Sequence, residues 1–393
     1  MTRRTQLASV ALLALICAGC GAPSCSRTDA PSAAQAQTQA QRPSGLPRAP
    51  IVVDARGCVD GVPPLAAGVE RGVCFAHSWE HGGARGYGTP TSALELDALK
   101  ELGADWISVT PFGFVESLRA TEVHLPRGNS GGESDERVRA EIDAAHTRGI
   151  HVLLKPHLWA HGGVWINEID PGSEAGWARW LASYRAFLLH YAALAEETRT
   201  ETLAVGVELG STVRHEAWWR ETIAQVRAVY RGKLVYCASW DRANAVHFWD
   251  ALDFIGAQFY ATLAASRDDT DEASMRVRLD AELVALGALS ARVARPVLFT
   301  EVGYKSIRGA AHRPHEWPEA IDRAHAVADQ DSQARAYRLF FAGLDGRSWV
   351  RGVYVWKWFT DPDTREEGPL GFSPRGKPAE TVLRTAYRGE VCR

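Results

Sequence analysis

The chain has 393 residues, of which 46% are hydrophobic and 23% charged, and its formal net charge is -3. A chain of this size and composition is globular and buries one large core or two modest ones. Its Lys and Arg residues form no run longer than a pair, which argues against a nucleic acid or an anionic membrane surface as a partner.

The N-terminus is typical of an export signal. Arg3 and Arg4 precede the apolar stretch LASVALLALICAGC, which has the length of a signal-peptide core and is too short to span a bilayer. The stretch ends in Ala18-Gly19-Cys20, which resembles the bacterial lipobox, where the signal is cut before a Cys that then carries lipid. We therefore predict a signal peptide over residues 1–19 and an exported protein, periplasmic or at the cell surface, anchored by lipid on Cys20. Simple secretion is the alternative.

The segment after the signal is predicted to be a tether. Residues 20–50 are rich in Ala, Gln, Pro and Ser and contain almost no large apolar side chain, which is typical of a flexible linker. The folded part is predicted over residues 51–393, and Cys58 and Cys392 lie near its two ends. Because an exported protein meets an oxidising compartment, we predict a disulfide between them, with two free thiols as the alternative.

Eight short apolar runs follow along the folded part, bounded by turn residues and separated by helical patterns. They cover residues 71–77, 104–112, 150–159, 202–210, 233–240, 252–260, 296–304 and 350–359. Strands that are apolar throughout and alternate with helices indicate a parallel sheet buried on both faces. Eight such units predict an α/β fold with a single (β/α)8 barrel. An open doubly wound sheet is the alternative, but no Gly-rich phosphate loop follows the first run.

The segments between the runs carry helix signals of different strength. Residues 134–149 begin with a Ser cap and early acids and close with Gly, which predicts a helix. Residues 216–232 have helical spacing, and the predicted apolar positions are Trp218, Ile223, Val226 and Tyr230. The short gap between the fifth and sixth runs leaves room only for a stub of helix.

Two glutamates interrupt apolar runs near their C-terminal ends. Glu208 lies in AVGVELGS of the fourth run, and Glu301 lies in LFTEVGY of the seventh. In a (β/α)8 barrel the C-terminal ends of the strands surround the active site, so carboxylates from these two strands can meet at its mouth. Retaining glycoside hydrolysis needs such a pair, about 5–5.5 Å apart. The alternative is that each glutamate forms a salt bridge with a neighbouring Lys or Arg.

Six strand motifs carry a resemblance to a known family. In order they are KPHLW, GVELGS, YCASWD, FWDALDFIGAQFY, FTEVGY and VYVWKWF. Together they resemble glycoside hydrolase family 113 of clan A, whose known activity is largely β-mannanase, and the resemblance spans about residues 68–385. It implies an endo-acting retaining hydrolase of β-1,4-mannan that needs no cofactor, with Glu208 as acid/base and Glu301 as nucleophile. Many clan A enzymes have Asn before the acid/base where this chain has Val207, so another β-glycan, such as a β-glucan, stays open.

Further site residues are predicted from strand ends. Tyr260 is predicted to hydrogen-bond the nucleophile, with an ordinary core Tyr as the alternative. Trp356 and Trp358 are two apart and hence on one face of their strand, and at least one of them is predicted to stack against a sugar ring; the alternative is a Trp that fills the barrel. Lys155 and His157 share a face of the third strand and are candidates for binding sugar hydroxyls; the alternative is a supporting ion pair.

The remaining candidates are Trp240 and Asp241 after the fifth strand and Trp79 after the first, as possible sugar subsites. A metal-dependent hydrolase is disfavoured because CFAHSWEHGG contains no His-x-His pair, so no metal site is predicted. A catalytically inactive carbohydrate-binding lipoprotein is the alternative from a different class. The expected partner is an oligo- or polysaccharide, and we expect a monomer.

Overall fold

The structure is a computed structural model that describes residues 52–55, 57–126, 132–316 and 326–389. The predicted signal peptide, Cys20, the tether over residues 20–50 and Cys392 lie outside the described residues. Cys58, the predicted partner of Cys392, is disulfide-bonded. None of the helices in the described ranges combines the length and the apolar composition that crossing a membrane requires.

Eight strands close into a barrel. In chain order the ten strands of the described ranges are β1 (Glu70–Ala76), β2 (Trp106–Val109), β3 (Phe112–Val115), β4 (His151–Leu154), β5 (His157–Ala160), β6 (Thr202–Val207), β7 (Lys233–Ser239), β8 (Phe254–Phe259), β9 (Val297–Val302) and β10 (Val350–Phe359). The order around the barrel is β1-β10-β9-β8-β7-β6-β4-β2, with parallel neighbours throughout. The prediction of an α/β fold with a (β/α)8 barrel is confirmed, and each of the eight apolar runs supplies one barrel strand.

Strands β3 and β5 form a second, two-stranded parallel sheet. The prediction of one continuous strand over 104–112 and another over 150–159 was wrong, because each run is divided between the barrel and this small sheet. The divisions coincide with Pro111 and Pro156. Proline has no backbone N–H to donate, so neither position can donate to a barrel ladder. Since both segments follow C-terminal ends of barrel strands, the small sheet extends the barrel wall at its mouth.

Seven α-helices of the described ranges accompany the strands. They are α1 (Pro90–Leu102), α2 (Asp135–Thr147), α3 (Glu174–Glu197), α4 (Glu216–Val229), α5 (Glu272–Val293), α6 (Gln330–Leu344) and α7 (Pro378–Tyr387). Helix α2 begins where predicted, with Ser134 Oγ accepting a hydrogen bond from the Arg137 N–H at 3.4 Å. In α4 it is Trp219 that is fully buried and not Trp218, because residues 219, 223 and 226 follow the helical period more closely.

The connection from β7 to β8 contains no α-helix. It consists of two short 3-10 segments, Trp240–Ala245 and Trp249–Ala251, which agrees with the predicted stub. The barrel therefore has seven helices around eight strands in the described ranges, and the outer layer is thin beside these two strands.

The core has two apolar layers. A large cluster fills the space between strands and helices, and a smaller one occupies the barrel interior. The interior cluster includes the thiols of Cys74 and Cys237, which are free and buried as the sequence indicates. Burial raises their pKa values to about 11 and about 12, so both stay neutral near pH 7. The functional groups lie where this apolar filling ends, at the C-terminal mouth.

Candidate active site

Glu208 and Glu301 both lie at the C-terminal end of the barrel. Glu208 directly follows β6, and Glu301 is the penultimate residue of β9. Glu301 is only 5% exposed, whereas Glu208 is partly exposed. The two carboxyl groups interact electrostatically, since the charge of Glu301 acts on the titration of Glu208. The structure thus brings together the pair that the sequence singled out.

Two buried donors hold Glu301. The Lys155 ammonium donates to Oε1 at 2.6 Å, and the Tyr260 hydroxyl donates to Oε2 at 2.7 Å. Lys155 is fully buried, and burial alone disfavours its charge, but neighbouring negative charge, including that of the Glu301 carboxylate, outweighs this effect and the pKa of Lys155 is raised. Burial and the neighbouring Glu301 charge also raise the pKa of Tyr260, so the phenol keeps its proton and donates. Together the two contacts fix the orientation of the Glu301 side chain and place an ammonium beside it.

Glu208 has a different environment. The Trp165 indole N–H donates to Oε2 at 2.8 Å, and the Ser239 hydroxyl donates to Oε1 at 3.2 Å. The pKa of Glu208 is raised by burial and, second, by the charge of Glu301. Hydrogen bonds from Trp165, Gln258 and Ser239 act in the opposite direction. One carboxyl is therefore paired with a cation and the other is shifted toward the acid form, which is the division of roles that acid-base chemistry at neutral pH requires.

The two tryptophans of β10 do not share a face, so that prediction was wrong. In the pairing of β1 with β10, Cys74 faces Trp356 and the next residue, Phe75, faces Trp358, which makes Lys357 an extra residue and reverses the alternation. Trp358 is 2% exposed, and its indole donates to Oε2 of Glu95 in α1 at 2.8 Å. It therefore packs between barrel and helix and does not line the mouth.

Trp356 remains at the candidate site. Its ring centroid lies 5.3 Å from Nζ of Lys155 and 4.9 Å from Nζ of Lys357. The ring is only partly buried. Trp356 thus lies beside Lys155, which holds Glu301, and a sugar-stacking residue needs such a position.

His157 belongs to the small sheet. Its Nδ1 accepts a hydrogen bond from the Leu158 N–H at 2.7 Å, and its ring stacks on Phe112 with centroids 5.4 Å apart. Burial and, second, the charge of Lys155 lower the pKa of His157 to about 3, so the imidazole is neutral. The predicted pair of basic groups is therefore one ammonium in contact with Glu301 and one neutral imidazole. Because Nδ1 of that imidazole accepts a hydrogen bond, its proton is on Nε2.

The small sheet has one aromatic face and one packed face. In the register of this sheet, Phe112 pairs with His157 and Phe114 pairs with Trp159, so the four rings lie on the same side. Phe114 and Trp159 are 38% and 49% exposed. The opposite face packs toward α3, since a Cβ at Gly113 would lie 2.5 Å from the Phe187 ring. The aromatic face therefore points away from the helices, toward the mouth.

The other predicted subsite residues have mixed positions. Trp79 is 48% exposed beyond β1, with its ring centroid 4.7 Å from that of His77. Trp240 is partly buried at the start of the first 3-10 segment. Asp241 is exposed. Burial and, second, the charge of Asp241 raise the pKa of Glu282 in α5, so the Asp241 carboxylate lies near the helical layer.

Several residues at the site were missed from the sequence. They are Trp165, Ser239, Gln258, Phe112 and Trp159. Ser239 ends β7 and Gln258 is the penultimate residue of β8, so the same strand-end rule that identified the glutamates would have selected them. Trp165 lies in a loop, where no pattern gives its partner.

One group in the described ranges has the spacing of metal ligands. Candidate ligand atoms of Glu80, His81 and Asp361 lie within 4.8 Å of one another, on loops after β1 and β10. Arg85 donates to Asp361 Oδ1 at 3.0 Å, and its positive charge opposes a cation there. Neither Glu208 nor Glu301 belongs to this group.

Comparison with known proteins decides the family. The model of Glycoside Hydrolase Family 113 matches residues 77–371, about three quarters of the chain. The chain belongs to glycoside hydrolase family 113. This family member is therefore a glycoside hydrolase, and its substrate is a carbohydrate.

Solved structures agree with the assignment of this family 113 hydrolase. A family 113 β-1,4-mannanase shares 28% identity and a TM-score of 0.71, covering 81% of this chain and 99% of its own. A family 113 β-mannanase from Alicyclobacillus acidocaldarius, in complex with ManMIm, shares 29% identity and a TM-score of 0.71, covering 82% of this chain and 98% of its own. A Faecalibacterium prausnitzii β-glucuronidase, at 16% identity and a TM-score of 0.55, shares the fold only. The sequence matches none of the curated proteins with which it was compared.

Proposed function

We propose that this glycoside hydrolase is a retaining, endo-acting β-mannanase that uses Glu301 as nucleophile and Glu208 as acid/base. The observation that carries the proposal is the unequal treatment of the two carboxyls. Glu301 accepts hydrogen bonds from Lys155 and Tyr260, whereas burial and the Glu301 charge raise the pKa of Glu208. A nucleophile must be ionised and an acid must be protonated in the same free enzyme.

In the first step Glu301 attacks the anomeric carbon. A bond forms between a carboxylate oxygen and that carbon, and the bond to the glycosidic oxygen breaks while Glu208 gives its proton to this oxygen. The leaving sugar departs as an alcohol, and Glu208 is left as a carboxylate. Lys155 and Tyr260 keep Glu301 aimed and exclude rotamers that would turn it from the sugar.

In the second step Glu208 acts as a base. It takes a proton from water as the oxygen of that water bonds to the anomeric carbon, and the ester bond to Glu301 breaks. While Glu301 is esterified it carries no charge, so one of the two effects that raise the pKa of Glu208 is absent, which favours the ionised form that takes the proton. Two inversions give overall retention.

The substrate proposal rests on the relatives and on the mouth. The family 113 neighbours at 28% and 29% identity are named β-1,4-mannanase and β-mannanase. The aromatic face of the β3–β5 sheet offers a long surface for the apolar sides of sugar rings, which supports binding of an extended chain and endo action. Because Val207 stands where many clan A enzymes have Asn, a β-glucan is the second candidate.

The deciding experiment follows the first-formed sugar by proton NMR. A β-anomer from β-1,4-mannan fits double displacement, whereas an initial α-anomer would mean inversion and would refute Glu301 as nucleophile. The Glu301→Gln variant keeps the shape of the side chain and should lose several orders of magnitude in kcat while still binding glycan. Rescue by azide with an inverted product supports the role. A panel of β-glycans, with product sizes, separates mannan from glucan and endo from exo action.

We also infer that the protein is exported and anchored through lipid on Cys20, with secretion as the alternative. The proposal is supported by the apolar stretch that ends in Ala18-Gly19-Cys20 and by the composition of residues 20–50. An anchored hydrolase would keep its products near the cell. A monomer is the simplest state for this arrangement, and size-exclusion chromatography with light scattering tests it.

A further inference from the structure

Trp165 has two properties that are unusual together. Its indole N–H donates to Glu208 Oε2 at 2.8 Å, yet 46% of the residue is exposed. Leaving a large aromatic surface in water is unfavourable. In a mouth that binds sugar, such a surface is available to stack against the apolar face of a ring.

The loop that carries Trp165 is fixed to the loop that follows Glu208. Asn167 Oδ1 accepts a hydrogen bond from the Gly210 N–H at 2.8 Å, and Ser211 Oγ donates to the Ile169 carbonyl at 2.6 Å. Position 210 has no room for a side chain, because a Cβ there would lie 2.2 Å from Asn167 Oδ1. The indole and the carboxyl it contacts therefore belong to one braced unit.

The contact also defines which side of the scissile bond Trp165 faces. If Glu208 is the acid/base, its carboxyl reaches the glycosidic oxygen, which joins the sugar held by Glu301 to the leaving sugar. A ring whose edge touches that carboxyl lies beside the leaving sugar. We propose that Trp165 is the platform for the leaving sugar and, through its N–H, the positioning residue of Glu208. This inference rests on the proposed function.

The N–H has a separate electrostatic effect. An indole N–H can only donate, so it favours the ionised form of Glu208 and directs the proton of the neutral form to Oε1. Ser239, the neighbour of Oε1, carries a hydroxyl that can turn to accept or donate. Removing the N–H should move the basic limb of the pH profile to higher pH, whereas removing the ring face should weaken binding of the leaving sugar.

Two variants separate these effects. Trp165→Phe keeps a ring and loses the N–H, and Trp165→Ala loses both. With a β-1,4-linked oligosaccharide, kcat/KM of the Phe variant should fall about 10- to 100-fold and its basic limb should move to higher pH. With a dinitrophenyl β-glycoside, whose leaving group departs without a proton, the rate of the first step should stay within about threefold. Trp218→Phe, which removes a partly exposed indole of α4 outside the candidate site, should leave the basic limb in place.

The platform is tested on the trapped intermediate. The enzyme is inactivated with dinitrophenyl 2-deoxy-2-fluoro-β-mannoside, which releases dinitrophenolate as the glycosyl-enzyme forms. Reactivation is followed against the concentration of β-1,4-mannobiose, which must bind in the leaving-sugar position to accept the glycosyl group. Wild type and Trp165→Phe should show saturation at similar concentrations, and Trp165→Ala should need about tenfold more acceptor. Circular dichroism and the thermal midpoint check that each variant is folded.

The outcomes distinguish the inference from the function on which it rests. A basic limb that does not move in Trp165→Phe refutes the positioning role, and unchanged acceptor affinity in Trp165→Ala refutes the platform. If wild type cleaves neither substrate class and is not trapped, the proposed function itself is wrong and this inference falls with it.

Discussion

Replacing Lys155 with Met tests the electrostatic design of the candidate nucleophile. The side chain keeps its length and loses the charge that lies 2.6 Å from Glu301 Oε1, in a pair whose side chains are 0% and 6% exposed. Removing one partner of a buried ion pair costs about 3–5 kcal/mol. Since about 1.4 kcal/mol corresponds to a tenfold change in a rate constant, a loss of this size in the transition state predicts that kcat/KM falls by about 100-fold or more.

The assay uses the dinitrophenyl β-glycoside, because its first step needs no proton from Glu208 and so reports on the candidate nucleophile. Lys305→Met is the matched control. Lys305 is 1% exposed, and its ammonium donates to the Pro314 carbonyl at 2.9 Å among other carbonyls, with no carboxylate of the described residues bonded to it. Its loss should lower stability without lowering kcat/KM of the folded enzyme. Activity of Lys155→Met within a few-fold of the parent would refute the reasoning, and so would an equal fall in both variants.

Three further predictions concern other parts of the chain. Trp159→Ala should raise KM about tenfold for long oligosaccharides and leave KM for disaccharide-sized substrates unchanged, because the exposed ring lies on the extension of the barrel wall. An equal rise in KM for both lengths would argue against an extended subsite. Burial favours the acid form of Glu201, but hydrogen bonds from His146, His151 and a backbone N–H lower its pKa from 4.5 to about 2. Ionised Glu201 therefore stabilises the fold above pH 4.5, and this contribution is lost as the pH falls through 2. Glu201→Gln should lower the free energy of unfolding, measured in urea, at about pH 6 and have little effect on it near pH 2. Cys20→Ala should leave the protein soluble or uncleaved, and an unlipidated mature N-terminus elsewhere, found by mass spectrometry, would contradict the anchor.

The sequence predicts the barrel well because its strands are buried on both faces. Each apolar run is continuous, so periodicity and length are enough to locate all eight. The glutamates were found by the same means, since a charge near the end of an apolar run is conspicuous. Pro111 and Pro156 are visible in the sequence and mark where two runs are divided, whereas the extra residue at Lys357, which turns Trp358 outward, depends on how β10 pairs with β1. No sequence pattern gives that register.

Contacts between loops could not be predicted for a different reason. Trp165 and Glu208 are 43 residues apart, and their hydrogen bond depends on how two irregular segments are braced against each other. Lys155 was expected to bind sugar hydroxyls, and the alternative of a supporting ion pair describes its contact with Glu301. Residue type and strand position were enough to select Lys155, but only the three-dimensional arrangement identifies its partner.

The backbone of Glu208 carries a further consequence, for engineering. Its φ is 49°, in the left-handed region, where a residue other than Gly or Asn lowers the stability of the fold by roughly 1–2 kcal/mol. A Glu208→Gly enzyme should therefore melt at a higher temperature than a Glu208→Ala enzyme, even though both lack the same carboxyl. Selection for thermostability alone would favour glycine over alanine at this position, and either residue would remove the proposed acid/base. Libraries built to make this hydrolase more robust should hold residue 208 fixed and take their gains elsewhere.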